Sequence, residues 1–335
     1  PAYDGECLTT DNAQIVSSLC GVEALFDGDP STTCRVDAYP VTIDIHTDRP
    51  YTLRSMVLRP VIDPIGAVFE LQVRESDGTY RSVACREVSR KRLTPDLGGL
   101  VDGPVAESFS AVTASDFRII LTGTVGGEIG EIELSAAARL SHYVEKQLGK
   151  MFDSDKVRAD TYVWSDSAEP ESASLVVDPG TVIDLTALVD EGGVLTWDAP
   201  QGEWIILHTG MSMTYTRNAP AMKEGTGYEI SKLNKDAAYA HFDAFIGELL
   251  RRMPNPAERR SLRHVVADSY EQGAENWAED FNALFQEVYG YDPVPWLPVL
   301  SGRIVGSATQ SDRFLWDLRR MVADRIPSQY VAGLR

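Results

Sequence analysis

Positively charged residues are scarce in this sequence. Its 335 residues include 31 Lys and Arg against 50 Asp and Glu, which gives a formal net charge of −19. A protein that binds nucleic acid needs a basic face to neutralise phosphates, so this balance argues against nucleic acid as a partner. The acidic excess suits a neutral or cationic ligand or a calcium site, although the simpler interpretation is that the acids keep the protein soluble.

Long apolar runs are also missing. No stretch approaches the roughly 20 apolar residues that a membrane-spanning helix needs, so we expect no membrane span. The first residues, Pro1-Ala2-Tyr3, include neither an initiating methionine nor a signal peptide, which indicates a piece of a longer polypeptide or a processed one. The length is sufficient for two or three domains, and 43% hydrophobic residues are typical of globular proteins.

Cysteine is rare, and Cys7, Cys20, Cys34 and Cys85 all lie in the first quarter of the chain. No C-x-x-C or Cys/His spacing indicates zinc, and no glycine-rich phosphate loop indicates an organic cofactor. Four cysteines allow three pairings, among which the sequence does not choose. A disulfide would fit a periplasmic or secreted protein, and buried free thiols are equally compatible with the pattern.

Short β-rich runs dominate residues 1–138, the first of three predicted domains. Gly, Pro, Asp and Ser clusters separate the runs, and several runs alternate apolar and polar residues as half-buried strands do. The runs cover residues 41–45, 55–59, 68–73, 117–121 and 131–134. This spacing predicts a β-sandwich.

The order of small motifs in this region is more specific than the strand pattern. Residues 24–29, Ala-Leu-Phe-Asp-Gly-Asp, are followed by Ser31-Thr32 and then by a strand at 43–45. The turn at 76–78 and the closing strand at 130–134 complete the order. This order resembles the discoidin or galactose-binding-like family, and the resemblance implies a jelly-roll β-sandwich.

The resemblance also implies a metal site. In that family, a loop of this kind and a glutamate on the last strand often hold a structural calcium ion, which here would use Asp29, Thr32 and either Glu131 or Glu133. Calcium takes six to eight oxygen ligands, many of them from backbone carbonyls in tight loops. An Asp-Gly turn without metal is the alternative.

Residues 139–214 are predicted to form a connecting helix and a small β-rich segment. An apolar stripe from Ala136 to Met151 indicates a helix over residues 135–152. Strands are expected at 182–186, 195–197 and 203–209.

Residues 215–335 follow the order helix, strand, helix, which suggests part of a (β/α)8 barrel or of a sheet. Helices are expected at 235–253, 276–289 and from 311, with a strand at 264–267. Asn234 and Asn276, the latter in a capping box with Glu279, are the expected N-caps. The predicted buried faces are Ala238, Phe242, Phe245, Ile246, Leu249 and Leu250 in the first helix and Phe314, Leu315, Leu318, Met321 and Val322 in the last.

Two polar clusters in this part carry candidate chemistry. They contain carboxylates that can transfer protons, amides that can bind sugar hydroxyl groups, and an indole that can stack on a sugar ring. These side-chain types are typical of a sugar-binding site. The structural alternative is that these residues cap turns, face solvent or fill the core. The clusters consist of Asn218, Glu224 and Glu229, and of Asp268, Tyr270, Glu271, Asn276 and Trp277.

A longer series of sequence motifs extends over residues 160–335. The order comprises Trp164-Ser-Asp-Ser, Asn218-Ala-Pro-Ala, Glu224-Gly-Thr-Gly, Asp268-Ser-Tyr-Glu, Asn276-Trp, Tyr289-Gly-Tyr-Asp-Pro, Trp296-Leu-Pro and Asp312-Arg-Phe-Leu-Trp-Asp. Together these motifs strongly resemble glycoside hydrolase family 106, the α-L-rhamnosidase family. The resemblance implies a (β/α)8 catalytic barrel interrupted by a β-sandwich, so that the rest of the same polypeptide lies on both sides of this chain.

Further expectations follow from the same resemblance. The family removes terminal α-L-rhamnose from plant cell-wall pectin and related glycans with inversion, and calcium is found near the sugar. Glu271 corresponds to a catalytic carboxylate, to which we assign the general-acid role. Its partner base would lie beyond Arg335, so this chain alone is expected to be inactive. Ser231 stands where the family usually has Asp, which leaves specificity for rhamnose open.

A second hypothesis belongs to a different functional class. In this alternative the protein is a non-catalytic carbohydrate-binding protein whose N-terminal β-sandwich contacts the glycan. Binding of glycans by residues 1–140 alone would favour it.

Overall fold

The computed structural model describes residues 7–60, 65–90, 103–147, 167–218, 221–267 and 275–334. Antiparallel strands occupy the first part of this chain and helices the last part. The strands are β1 (Gln14–Ser17), β2 (Cys34–Val36), β3 (Val41–Pro60), β4 (Ile65–Arg74), β5 (Tyr80–Arg90), β6 (Val105–Val125) and β7 (Gly127–Ser135).

Two long strands, β3 and β6, organise the β region. The strand order is β2-β7-β3-β6-β4-β5, with β1 paired to β3, and every pairing between these strands is antiparallel. The start of β3 pairs with β1 and the end of β6, whereas its end pairs with β7 and the start of β6. Register shifts between His46 and Tyr51 and between Leu53 and Ser55 interrupt the pairing of β3 with β6.

Alternation of side chains builds the core of the β region. In β4 every second residue is buried, as expected for a strand with one face inward. Phe26, Phe69 and Phe117 are each at most 1% exposed and belong to one hydrophobic cluster with residues of β2, β3, β5 and β7. All five predicted β-rich runs lie inside observed strands, so the predicted all-β character of this region is confirmed, and the strands form an antiparallel sheet.

Helices dominate the last part of the chain. They are α1 (Tyr143–Gln147), α2 (Lys235–Phe242), α3 (Glu248–Arg252), α4 (Phe281–Tyr289) and α5 (Ala308–Ile326). A π-helical turn at Asp243–Gly247 joins α2 to α3, and another at Pro327–Val331 follows α5. Short 3-10 turns lie at Val22–Leu25, Ala173–Leu175, Pro179–Thr181, Thr186–Leu188, Lys223–Gly225, Pro256–Glu258 and Val294–Ser301. No helix in the described ranges is long and apolar enough to cross a membrane.

A second core joins the helices to the sheet. The predicted inward face of α5 is confirmed, since Phe314, Leu315 and Leu318 are fully buried. These side chains belong to one cluster with Phe285 of α4 and with Val57 of β3. The β region and the helical region therefore pack against each other through apolar side chains.

Several predicted elements of residues 135–209 are wrong. The helix predicted from residue 135 begins only at Tyr143, because Ser135 ends β7 and Arg139 forms a β-bridge with Arg303. The strands predicted at 182–186, 195–197 and 203–209 are not strands, although Leu195 forms an isolated bridge with Val189.

The predictions for residues 215–335 are met in part. Residues 235–252 are helical and end before Pro254 as predicted, but Phe245 is 66% exposed rather than buried. Helix α4 begins at Phe281 instead of residue 276, because the Asn276 side chain binds elsewhere and caps nothing. Residues 264–267 form no strand. The described residues contain no ladder of parallel strands, so the partial barrel stays a prediction.

Candidate functional site

The predicted sugar site is described only in part. Asp268, Tyr270 and Glu271 lie outside the described residues. The five other predicted site residues are described, and so is the chain that begins again at Glu275. The described part of the site therefore consists of the residues on either side.

Glu275 connects the two sequence clusters. Its Oε1 accepts a hydrogen bond from the Ser231 hydroxyl, and its Oε2 accepts one from the backbone N–H of Lys232 at 3.0 Å. The Ser231 hydroxyl oxygen also accepts from the N–H of Leu233. An Asp at position 231 would set a second carboxylate against Glu275, so serine is the residue type that this contact favours.

Glu229 is also engaged in the same region. Its Oε2 lies 2.6 Å from the Lys232 Nζ, and its backbone N–H donates to the Thr216 carbonyl at 2.9 Å. The Lys232 side chain is 8% exposed, so water screens this ion pair only weakly. Lys232 thus joins Glu229 and Glu275, through its ammonium group and its backbone respectively.

Asn218 closes a loop rather than facing outward. Its Oδ1 accepts from the Gly227 N–H at 2.7 Å, and its Nδ2 donates to the Gly225 carbonyl at 2.9 Å. Both ends of the amide are therefore used to hold residues 218–227. Glu224 lies on the exposed tip of this loop, in the Lys223–Gly225 turn.

Asn276 and Trp277 help to fix the chain after Glu275. The Asn276 Nδ2 donates to the carbonyl of Gln147 in α1 at 3.0 Å. Trp277 is half-buried and lies 5.2 Å from the Phe281 ring, measured between centroids, as part of the second core. The described contacts of Trp277 are therefore those of a residue that packs in the core.

The structure thus joins Glu229, Ser231, Lys232 and Glu275 directly, and places Asn276 and Trp277 next in the chain. No described contact links Asn218 or Glu224 to Glu275. Glu275 was missed by the sequence reasoning, which assigned the capping role to Glu279.

The predicted calcium loop gathers oxygen atoms around Thr32. The Thr32 hydroxyl lies 2.8 Å from the Asp27 Oδ2, 2.9 Å from the Asp29 carbonyl and 3.3 Å from the Ala24 carbonyl. The Asp29 carboxylate turns away and accepts from the backbone N–H and hydroxyl of Ser31. Asp29 can therefore contribute its carbonyl oxygen, whereas Asp27 contributes a carboxylate that the sequence reasoning did not select.

Glu131, rather than Glu133, lies beside this loop. Glu133 forms an ion pair with Arg59. Glu131 is 3% exposed, and its Oε2 has no hydrogen-bond partner. Burial, followed by the negative charges of Asp27 and Glu133, raises the pKa of Glu131 to about 7. A buried carboxyl beside a second acid is the environment that a bound cation would relieve.

The donor set fits calcium in kind. Within the described residues, no three His, Cys, Asp or Glu side chains are grouped to hold a metal. A cation here would depend on the two carboxylates, the Thr32 hydroxyl and the carbonyls of Ala24 and Asp29. Such a mixture of hard oxygens, with backbone carbonyls included, is what calcium takes.

Comparisons with known proteins find similar sequences and folds. The sequence profile of the family described as alpha-L-rhamnosidase, glycoside hydrolase family 106, matches residues 31–335. A solved rhamnosidase from Novosphingobium sp. PP1Y is 27% identical, with a TM-score of 0.71 over 98% of this chain and 30% of that one. A protein of Formosa agariphila named "Putative beta-glucuronidase" is 36% identical over 160 residues, which are 48% of this chain and 14% of that protein. This chain thus spans less than a third of either relative.

Proposed function

The chain belongs to the α-L-rhamnosidase family of glycoside hydrolases, and on this basis we propose that the polypeptide of which it is part hydrolyses terminal α-L-rhamnosyl linkages. The family profile matched over residues 31–335 carries the proposal, and the fold shared with a solved rhamnosidase supports it. The proposed substrates are rhamnose-containing glycans of the pectic type. Because plant cell-wall glycans are found outside cells, we also propose that the polypeptide is exported.

The proposed mechanism is hydrolysis with inversion. Glu271 acts as general acid and protonates the glycosidic oxygen, while a second carboxylate removes a proton from the attacking water. Inverting enzymes hold these two carboxyls roughly 6.5–9.5 Å apart to leave room for that water. We assign the base to another part of the polypeptide. Asp268 and Tyr270 belong to the same motif as Glu271 and are proposed to contact the sugar.

The described residues have distinct proposed roles around the sugar. Glu224 is exposed and is proposed to meet a substrate hydroxyl directly. Asn218 holds the Glu224 loop, and Glu229 is neutralised by Lys232. Asn276 and Trp277 hold the chain that follows the Glu271 motif.

The remainder of the polypeptide is proposed to cover an exposed apolar surface on this chain. This surface carries large apolar side chains that are 37–83% exposed, more than an isolated soluble domain usually leaves in water. The solved rhamnosidase is long enough to include such cover, since this chain spans 30% of its length. The surface residues are Ile183, Leu188, Val189, Val194, Trp204, Ile205, Ile206, Leu207, Met211, Met213, Val265 and Val266.

Calcium is proposed as a structural ion of the β region. Asp27, Thr32 and Glu131 would hold it together with the carbonyls of Ala24 and Asp29. The ion would neutralise the buried Glu131 carboxylate and fix the loop, with no part in bond cleavage.

The direct test measures release of the aryl alcohol from an aryl α-L-rhamnoside by the full polypeptide. An aryl β-D-glucuronide serves as the competing substrate, because one relative carries the glucuronidase name. We expect turnover of the rhamnoside with inversion, detected by NMR of the released sugar. Turnover of the glucuronide alone would reassign the substrate.

Substitution of Glu271 tests the catalytic assignment. Loss of a general acid typically lowers the rate about 10²–10⁴-fold, so Glu271→Gln should lower kcat by that order. Glu287→Gln, on an exposed position of α4, is the matched control and should leave kcat unchanged. Equal activity of both variants would remove Glu271 from the catalytic step without contradicting the family assignment.

A further inference from the structure

A loop of the β region has a cysteine at each end. Cys20 follows β1, and Cys34 is the first residue of β2. Fourteen positions separate them, and the Cys34 Sγ lies 3.3 Å from the Cys20 carbonyl oxygen. All four cysteines of the chain are free thiols in the structure. The short distance shows that the Cys34 sulfur points at the backbone that carries the Cys20 side chain.

The surroundings of the thiols distinguish this pair from the other pairings. Burial raises the pKa of the Cys34 thiol, and the neighbouring Cys20 thiol raises it further. Cys7 lies instead beside Ser135, to which it is bridged. Cys85 lies on β5, where Glu70 is opposite it. Of the three possible pairings, only the one that joins Cys20 to Cys34 links two cysteines with a described contact, which is between the Cys34 Sγ and the Cys20 carbonyl oxygen.

We propose that Cys20 and Cys34 form a disulfide under oxidising conditions, and that Cys7 and Cys85 remain thiols. Cys20 is exposed and accepts the oxidant, whereas Cys34 is 3% exposed and completes the bond from inside. The closed loop contains Asp27, Asp29 and Thr32. The disulfide would therefore fix the two ends of the segment whose oxygens gather around Thr32.

With oxidised glutathione as the oxidant, the chemistry takes two exchanges. The Cys20 thiolate attacks one sulfur of the glutathione disulfide, which forms a mixed disulfide and releases one glutathione thiolate. The Cys34 thiolate then attacks the Cys20 sulfur and releases the second glutathione. Two protein thiols are oxidised, one glutathione disulfide is reduced to two glutathiones, and the two protons from the protein go to the released thiolates.

Peptide mapping tests the pairing. The full chain is incubated with excess oxidised glutathione, its remaining thiols are alkylated, and it is digested with a protease that cleaves before Asp. Each cysteine then falls in its own peptide, with Cys20 in residues 11–26 and Cys34 in residues 29–36. We expect these two peptides joined, with Cys7 and Cys85 alkylated. Alkylated Cys20 and Cys34, a stable glutathione adduct on Cys20, or a bridge to Cys7 or Cys85 would each overturn the proposal.

Thermal unfolding provides an independent measurement. A cross-link over a loop of this length constrains the unfolded chain, so reduction of the oxidised protein should lower the unfolding midpoint by on the order of 5 °C. Cys20→Ser should abolish that difference between oxidised and reduced samples. Cys85→Ser, an exposed cysteine outside the pair, should retain it. The same redox shift in Cys20→Ser as in the parent chain would contradict the pairing.

Discussion

Strand β4 of the β region and the segment 203–209 are both rich in apolar residues, but they differ in how far those side chains are exposed to solvent. In β4, Phe69 and Leu71 are at most 1% exposed, whereas Ile206 is 60% exposed and Leu207 is 37% exposed. The difference lies in the neighbours, because β4 pairs with β5 on one side and β6 on the other. Residues 203–209 form no strand and have no ladder partner among the described residues. Apolar residues in a β-like pattern thus predict a strand only where the partner strands are present.

The largest expected effect comes from removing the same aromatic side chain in each environment. Phe69 is 1% exposed in the sheet core, and Phe245 is 66% exposed on the π-helical turn after α2. Phe69→Ala should lower the free energy of unfolding by about 3–5 kcal/mol, because it leaves a cavity in a packed core. Phe245→Ala should change it by less than about 0.5 kcal/mol in the isolated chain.

Chemical denaturation followed by tryptophan fluorescence and circular dichroism measures both variants. Equal losses would mean that the Phe245 side chain is packed in solution and would break the comparison.

The second largest effect is expected where the two regions meet. Glu145 of α1 is 2% exposed and lies 2.7 Å from the Arg86 guanidinium of β5. Glu145→Gln removes the nearer of two carboxylates from the buried Arg86 and leaves only the more distant Glu107, at 3.9 Å, so it should cost about 3 kcal/mol. Glu248, half-exposed and paired with Arg251 and Arg252, is the matched control, for which Glu248→Gln should cost little because water screens exposed ion pairs.

The pH dependence of this contact has a definite sign. Burial alone would raise the pKa of Glu145, but its hydrogen bond with His142 and the charge of Arg86 outweigh burial and lower it. The folded protein therefore binds fewer protons at this group than the unfolded chain. The stabilisation is complete above the ordinary glutamate pKa of 4.5 and is lost as the pH falls below it. Denaturation of the parent and Glu145→Gln chains between pH 3 and pH 7 should show the difference shrinking at the acid end.

The two regions also show what sequence reasoning can reach. In β4 and α5, local periodicity and burial agree, and the predicted faces are found. Residues 135–142 carry apolar side chains at helical spacing, but Leu140 donates its N–H to the Gly302 carbonyl instead of to a helical turn. Contact with a segment more than 150 residues away is not encoded in a local pattern. The same reason explains Asn276, whose partner is the Gln147 carbonyl.

The same limit applies to the candidate sites, where features set by local contacts could be predicted and contacts between distant residues could not. The Asp-Gly loop was found from its turn residues, and its geometry comes from local contacts. Glu131 and Glu133 point to the same face of β7, so the choice between them depends on where along the strand the loop lies, which the sequence pattern does not show. Glu275 was overlooked because its partners, Ser231 and Lys232, are more than 40 residues away. Glu271 remains a prediction that the family resemblance carries.

An intermediate effect is expected at the calcium loop. The raised pKa of Glu131, about 7, means that the folded protein binds more protons at this group than the unfolded chain. Without calcium, stability should therefore fall as the pH rises from about 4.5 to 7. Glu131→Gln removes the buried charge and should raise the free energy of unfolding by on the order of 2 kcal/mol at pH 8.

Calcium should reduce or reverse the stability advantage that Glu131→Gln has over the parent chain at pH 8. The ion compensates the Glu131 carboxylate, so the unfolding midpoint of the parent chain should rise with calcium at pH 8 and much less at pH 5. Glu131→Gln should lose most of that rise, while Glu133→Gln, which removes the partner of Arg59 instead, should keep it. A calcium shift of equal size in Glu131→Gln, or none in the parent chain, would contradict the proposed site.

The smallest expected effect concerns Asn234 and Asn276, both of which the sequence predicts to be N-caps. The Asn234 Oδ1 accepts from the N–H groups of Asp236 at 2.9 Å and Ala237 at 3.1 Å, so it caps α2. Asn234→Ala should lower the free energy of unfolding by about 1 kcal/mol, and Asn234→Asp should retain most of the stability because a carboxylate also caps. Asn276 donates to a carbonyl instead, and a carboxylate cannot donate. Asn276→Asp should therefore destabilise as much as Asn276→Ala, and denaturation of the four variants decides whether local capping or a distant contact governs each position.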